Sequence, residues 1–141
     1  TPMRFDLPEK KKLTLEKVIP IRWGDMDAMG HVNNTVYFRY MESIRIDWMH
    51  SVTGPPDLAG EGPVIVNAFC NFLRQLKYPG DVLVKHYVAD PGRSSFETYL
   101  TIERTDQPGL LYATGGAKTV WVNYREEKSV ALPEKIRRLV A

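Results

Sequence analysis

The spacing of apolar residues changes twice along the chain, and the changes mark out its elements. Between Leu13 and Trp23 the segment LTLEKVIPIRW is rich in β-branched residues and opens with the alternating pair Leu13 and Leu15, which predicts a strand. Pro20 brings no N–H to a ladder, so this strand is expected at a sheet edge or at a bulge. A loop from Gly24 to Asn33 follows. From about Asn34 to Ser51 the period becomes helical. Tyr37, Tyr40, Met41, Ile44 and Trp48 recur at three- and four-residue steps, with Phe38 and Met49 beside the stripe and Arg39, Glu42, Ser43 and Asp47 opposite. A face that wide predicts a helix pressed against a large sheet. Asn33 or Asn34 can cap its start through a side-chain oxygen, and Gly54-Pro55-Pro56 forbids its continuation. At ~1.5 Å per residue such a helix runs about 27 Å.

Beyond a Pro- and Gly-rich loop (Gly54 to Pro63) the pattern is that of strands. Val64 to Leu76 places Val64, Val66, Ala68, Cys70 and Phe72 on one face, with Ile65, Asn67, Phe69, Asn71 and Leu73 on the other. The turn Tyr78-Pro79-Gly80-Asp81 leads into VLVKHYVAD. Pro91-Gly92-Arg93 leads into the alternation of Phe96, Thr98, Leu100 and Ile102. Asp106-Gln107-Pro108-Gly109 precedes a strand from about Leu110 to Asn123, in which Gly115-Gly116 is expected to form a bulge or bend. The tail PEKIRRLV reads as a short amphipathic helix starting at Pro133. Turns this short imply antiparallel pairing, because a parallel connection needs a crossover of a dozen or more residues. The expectation is an α+β fold in a single domain over residues 1–141, one long helix wrapped by a curved antiparallel sheet of about five strands, with residues 1–12 as a polar arm. The opening Thr1-Pro2-Met3 suggests extra residues ahead of a native start.

Composition narrows the function. The 19 basic and 17 acidic residues leave a net charge of +2, without the concentrated basic surface that nucleic acid requires. One cysteine, Cys70, excludes an internal disulfide and any CxxC motif. His31, His50 and His86 are too dispersed to suggest a local metal-binding pair, so no metal and no cofactor are expected. Apolar runs fall well short of the ~20 residues that span a bilayer. A cytoplasmic protein is expected, with neither membrane nor nucleic acid as partner.

The chemistry concentrates in Arg22-Trp23-Gly24-Asp25-Met26-Asp27-Ala28-Met29-Gly30-His31-Val32-Asn33-Asn34. Two carboxylates, a glycine and a histidine stand just ahead of a capped helix. A helix start presents unpaired N–H groups and the positive end of the dipole, where a carbonyl oxygen gaining negative charge can be held. A carboxylate on the preceding loop can reach the carbonyl carbon, and Gly30 lets the backbone turn tightly and approach a substrate. These are the parts of an acyl-transfer site.

The pattern D-x-D-x-x-G-H-V-N-N-x-x-Y, between a first strand and a long helix, resembles the 4-hydroxybenzoyl-CoA thioesterase family of hotdog proteins. The later Pro79-Gly80-Asp81 and Arg93-Ser94-Ser95-Phe96 segments are similar to that family too, so the resemblance spans roughly Lys17 to Asn123. It implies hydrolysis of an acyl-CoA, aliphatic or aryl, to free acid and CoA. The second aspartate of the pair, Asp27, would be catalytic, as nucleophile or as general base toward water. A backbone N–H near Asn34 would polarise the carbonyl. It also implies a homodimer or tetramer, with a sheet continuing across the interface and each site shared by two subunits.

Gly30, His31, Asn33 and Asn34 are therefore expected substrate-binding residues. Asn33 and Asn34 are helix caps first, and His31 either orients substrate or water or is satisfied by a loop carbonyl. Asp25 reads as a turn-forming or backbone-bonded carboxylate rather than a second catalytic group. Glu42 reads as structural, paired with Arg39 or Arg45. Tyr37, Tyr40 and Trp48 read as core. Asn67 and Asn71, on an otherwise apolar strand, line a pocket or an interface, or face solvent. Arg74, Lys77, Arg93, Arg104 and Arg125 are candidate contacts for CoA phosphates. Two other readings share the fold: a hydratase acting on acyl thioesters, for which the necessary His and Glu/Asp pairing is not found, and a non-catalytic acyl-CoA sensor acting through a partner.

Overall fold

A computed structural model describes residues 6–55 and 57–141; Thr1-Pro2-Met3 lie outside them. The strands are β1 (Lys12–Pro20), β2 (Glu61–Phe72), β3 (Asp81–Ala89), β4 (Ser95–Arg104), β5 (Leu111–Asn123) and the two-residue β6 (Lys128–Ser129). The helices are α1 (Asn34–Thr53) and the short α2 (Glu134–Val140). All pairings are antiparallel, in the order β1-β3-β4-β5-β2, with β6 against the end of β5. Pro20 closes the edge strand β1, as its missing N–H requires. The bulge in β1 falls instead at Thr14. The polar arm ends one residue sooner than expected, because Lys12 already pairs with Val88.

Two expectations are overturned. The Tyr78–Asp81 turn does not join a hairpin. β2 pairs with β5, and residues 73–80 cross beneath the start of α1 to reach β3. This crossover is pinned by Tyr37, whose hydroxyl donates to Arg74 O (3.1 Å) and accepts from Leu76 N (3.0 Å), while the Leu76 side chain is fully buried. Gly115 and Gly116 do not interrupt β5, which keeps register with both neighbours through them. They are small because the layers press together there. A Cβ on Gly115 would lie 2.6 Å from Met41 Sδ of α1 and 2.8 Å from Phe69 O, and one on Gly116 would lie 2.9 Å from Thr98 O.

The bulge in the β2–β5 pairing falls between Ile65 and Asn67 and switches the faces of β2. Ile65 lies on the helix side with Trp48 and Met49, whereas Asn67 and Phe69 share the opposite side with Tyr99 and Lys118. The single alternation expected for this strand therefore breaks at Val66.

α1 buries Tyr37, Tyr40, Met41, Ile44, Trp48, Met49 and Val52. Its first half packs with Leu76, Val84, Leu100 and Ile102, and its second half with Val88, Phe96, Trp121 and Ile136 of α2. Each such side chain contributes about 1.5–3 kcal/mol by leaving water. The helix starts at the cap expected: Asn33 Oδ1 accepts from Thr35 N at 3.0 Å. It ends at Gly54, whose φ of +76° suits glycine.

Candidate active site

The loop ahead of α1 is tied down from several sides. Trp23–Asp25 forms a 3₁₀ turn in which Asp25 Oδ2 accepts from Arg22 N at 2.9 Å. The same oxygen accepts from the Tyr40 hydroxyl at 2.8 Å, and Asp25 O accepts from Asn33 N at 2.9 Å. Asp25 thus has the backbone-bonded role expected of it. Burial first, and then the Asp25 carboxylate, raise the Tyr40 phenol well above its ordinary range. Tyr40 is buried as expected, yet its hydroxyl has a specific partner that the helical stripe did not reveal.

Between the bridged residues Met26 and Val32 the chain folds back on itself. Asp27 N donates to His31 O at 2.8 Å, and Gly30 N donates to Asp27 O at 3.1 Å. Gly30 has a φ of +78° with open space where a Cβ would stand, so the tight turn requires the glycine and leaves its outer side clear. Val32 is buried and donates to Leu76 O at 2.8 Å, which fixes the loop to the crossover. Asp27 Oδ1 accepts from Met29 N (2.9 Å) and more weakly from His31 N (3.3 Å). Asp27 is exposed and forms no ion pair among the described residues.

Asn33 accepts from Thr35 through both N (3.0 Å) and Oγ1 (2.9 Å), so its amide side chain is occupied as a cap. Asn34 is exposed at the first position of α1, and its backbone N–H has no acceptor among the described residues. His31 is half-buried, its ring without a hydrogen-bond partner among them. Thus the structure brings Asp27, Gly30, His31, Asn33 and Asn34 into one loop and helix start. Asn67 and Asn71 belong elsewhere. Asn67 Oδ1 accepts from Lys118 N (3.2 Å) at the bulge, and Asn71 Nδ2 donates to Thr114 Oγ1 (3.0 Å) on the sheet face away from α1.

A hollow of about 460 Å³ adjoins the loop, lined by Arg22, Asp25, Thr35, Arg39, Tyr40 and Ser43 among others. Asp25, not Asp27, borders it. The two arginines there were absent from the cations picked out by position on turns. Of those, Arg104 is committed to structure, bonded to Asp106 (2.9 and 3.0 Å), Lys77 O and Pro79 O. Arg74 donates to Leu111 O. Glu42 pairs with Arg39 at 3.7 Å on the helix surface. Among the described residues no three His, Cys, Asp or Glu side chains cluster as metal ligands, and no helix is long and apolar enough to cross a membrane.

The profile of the Thioesterase-like superfamily matches residues 21–140. The chain belongs to this superfamily. Its fold matches that of PA2801 from Pseudomonas aeruginosa, a candidate thioesterase, with a TM-score of 0.87, 36% identity, and coverage of 92% of this chain and 100% of the other. A candidate acyl-CoA thioesterase from Xanthomonas campestris is 37% identical with a TM-score of 0.72, over 78% of this chain and 93% of its own. The DHNA-CoA thioesterase of Staphylococcus aureus, at 20% identity, shares the fold with a TM-score of 0.75 over 88% and 89% of the two chains. Superfamily membership makes the protein a thioester hydrolase on the hotdog fold.

Proposed function

We propose that the protein hydrolyses acyl-CoA at Asp27, in a site completed by a second copy of the chain. The observation that carries this reading is the Asp27–Asn34 arrangement. One oxygen of the Asp27 carboxylate is held by the amides of Met29 and His31, immediately before a helix whose first N–H is unclaimed. Holding the carboxylate fixes its direction without an ion pair to quench it. The Asn34 N–H and the helix dipole stabilise the oxyanion as the thioester carbonyl is attacked. Asp27 either attacks the carbonyl carbon or takes the proton of the attacking water; the C–S bond breaks, and water and acyl-CoA leave as free acid and CoA.

A second copy is invoked because one chain leaves Asp27 on an open surface. β2 is a sheet edge of twelve residues on which Val64, Ile65 and Val66 are exposed. An unpaired apolar edge of that length favours pairing with another strand. A homodimer joined edge to edge through β2 would cover it and wall the site.

Release of free thiol across short, long and aryl acyl-CoAs tests the activity. Asp27→Asn keeps the oxygen that accepts from Met29 and His31, so the loop stays intact while the carboxylate is lost. Its kcat is expected to fall roughly 10²–10⁴-fold. Activity within twofold of the parent would remove Asp27 from the chemistry. Light scattering at assay concentration should give at least twice the chain mass.

A further inference from the structure

Arg45 sits half-buried on α1, on the side that faces the sheet residues Ile65, Phe96 and Thr119. Among the described residues it forms no ion pair and no hydrogen bond. Glu42, the acid that acts on it, is engaged by Arg39. Burial pushes the guanidinium below its ordinary range, and Arg45 in turn helps burial to hold the neighbouring His86 neutral. A half-buried cation that lacks an ion pair of its own is better placed once an anion joins it.

Arg45 borders a slot of about 90 Å³ between α1 and the sheet, whose other walls include Trp48, Ile65, Phe96, Thr98 and Thr119. The Thr98 hydroxyl is used, donating to Ala117 O at 3.3 Å. Thr119 is only 2% exposed, and its hydroxyl has no partner among the described residues. Arg45 and Thr119, neither of which uses its side chain in a hydrogen bond among the described residues, thus border the same apolar slot. Its volume equals roughly three waters at about 30 Å³ each. A carboxylate with a methylene or two fills that space, whereas a benzene ring occupies a cavity of about 150 Å³.

The slot opens beside Ile65, on the exposed edge β2. If two β2 edges pair antiparallel about a two-fold axis at the strand midpoint, residues 61–63 of one copy, with Pro63 of the slot among them, lie opposite residues 70–72 of the other. Phe72 packs edge-on against Tyr37 (5.0 Å) and Phe38 (6.3 Å) in the first turns of α1. The slot of one copy would therefore face the helix start of its neighbour.

We infer that this slot receives the far end of the acyl group and selects short acyl thioesters that end in a carboxylate, gripped by Arg45 and Thr119. The inference rests on the two-copy thioesterase reading and adds the substrate class to it. The test compares glutaryl-CoA with pentanoyl-CoA, which have equal chain length and differ in the terminal charge. The parent enzyme is expected to favour glutaryl-CoA at least tenfold in kcat/KM. Arg45→Met should abolish that preference, with kcat/KM falling at least tenfold more for glutaryl-CoA than for pentanoyl-CoA. Thr119→Val, which keeps the shape, should lower kcat/KM several fold more for glutaryl-CoA than for pentanoyl-CoA.

Equal turnover of the two thioesters by the parent overturns the inference. So does an Arg45→Met variant that loses both activities alike and changes its mass in light scattering, which would make Arg45 an interface residue. If no thioester is hydrolysed, calorimetric binding separates the two ideas. Glutaryl-CoA binding that depends on Arg45 would sustain the slot while hydrolysis fails; equal or absent binding of both thioesters would overturn the slot as well.

Discussion

Tyr40 donates its hydroxyl to Asp25 across fifteen residues of sequence, at 2.8 Å, and so joins the body of α1 to the loop that carries Asp27. The bond couples packing to the site. Tyr40 is held by the core on one side and by a half-buried carboxylate on the other. Tyr40→Phe keeps the ring and removes the bond, and stability in urea should fall by about 2 kcal/mol, the usual range for a hydrogen bond to a charged acceptor. Unchanged stability would mean that water replaces the phenol without loss.

Asn33 closes the amide end of α1 through Thr35. Asn33→Ala is expected to lower stability by about 1 kcal/mol, whereas Asn33→Asp, which retains an acceptor, should stay close to the parent. Paired urea titrations distinguish them, and equal loss in both would point to a role for the amide nitrogen.

The meeting of Gly115 with Met41 predicts a sharp response to one methyl group. Met41 can swing its thioether aside, but Phe69 O is backbone and cannot. Gly115→Ala should destabilise by roughly 1–3 kcal/mol through overpacking. A melting temperature equal to the parent's would show that α1 and the sheet separate easily.

His86 gives the protein a pH dependence of stability. Its ring is fully buried, 5.2 Å from that of Trp48, with Nδ1 bonded to Thr14 Oγ1 at 2.6 Å. Burial, and then Arg45, push it down to about 3, against 6.5 in an unfolded chain. The unfolded state thus binds the extra proton first, so stability is full above pH 6.5 and declines as pH falls toward 3, by at most about 1.4 kcal/mol per pH unit. His86→Gln should flatten the slope between pH 6.5 and 5, above the ordinary carboxylate range. A slope that survives the substitution must come from another group.

The parts of this molecule legible in sequence are those governed by local rules. The stripe from Tyr37 to Trp48 states the helix period, and Asn33 and Gly54 bound it through chemistry confined to one turn. Asp25 was readable as a loop tie because a short acid before a helix bonds nearby amides. What escaped depends on contacts distant in sequence. Both faces of β2 carry large apolar residues, so nothing in its pattern reveals the switch at Val66 or the choice of β5 as partner. The turn at Tyr78–Asp81 resembles a hairpin until the Tyr37 hydroxyl is seen holding residues 74 and 76. Arg45 reads as one more surface charge next to Glu42, and only the slot between α1 and the sheet shows that it borders a cavity.

The pairing of β2 with β5 also constrains how the chain is made. When residue 72 leaves the ribosome, the strand that will satisfy its backbone starts at residue 111 and does not yet exist. At about 5–20 residues per second the nascent chain holds an unpaired, largely apolar strand for several seconds, while α1 is already able to form. During that interval the aggregation hazard of a free edge is greatest, and synthesis that stalls between residues 72 and 111 should yield the least soluble fragments.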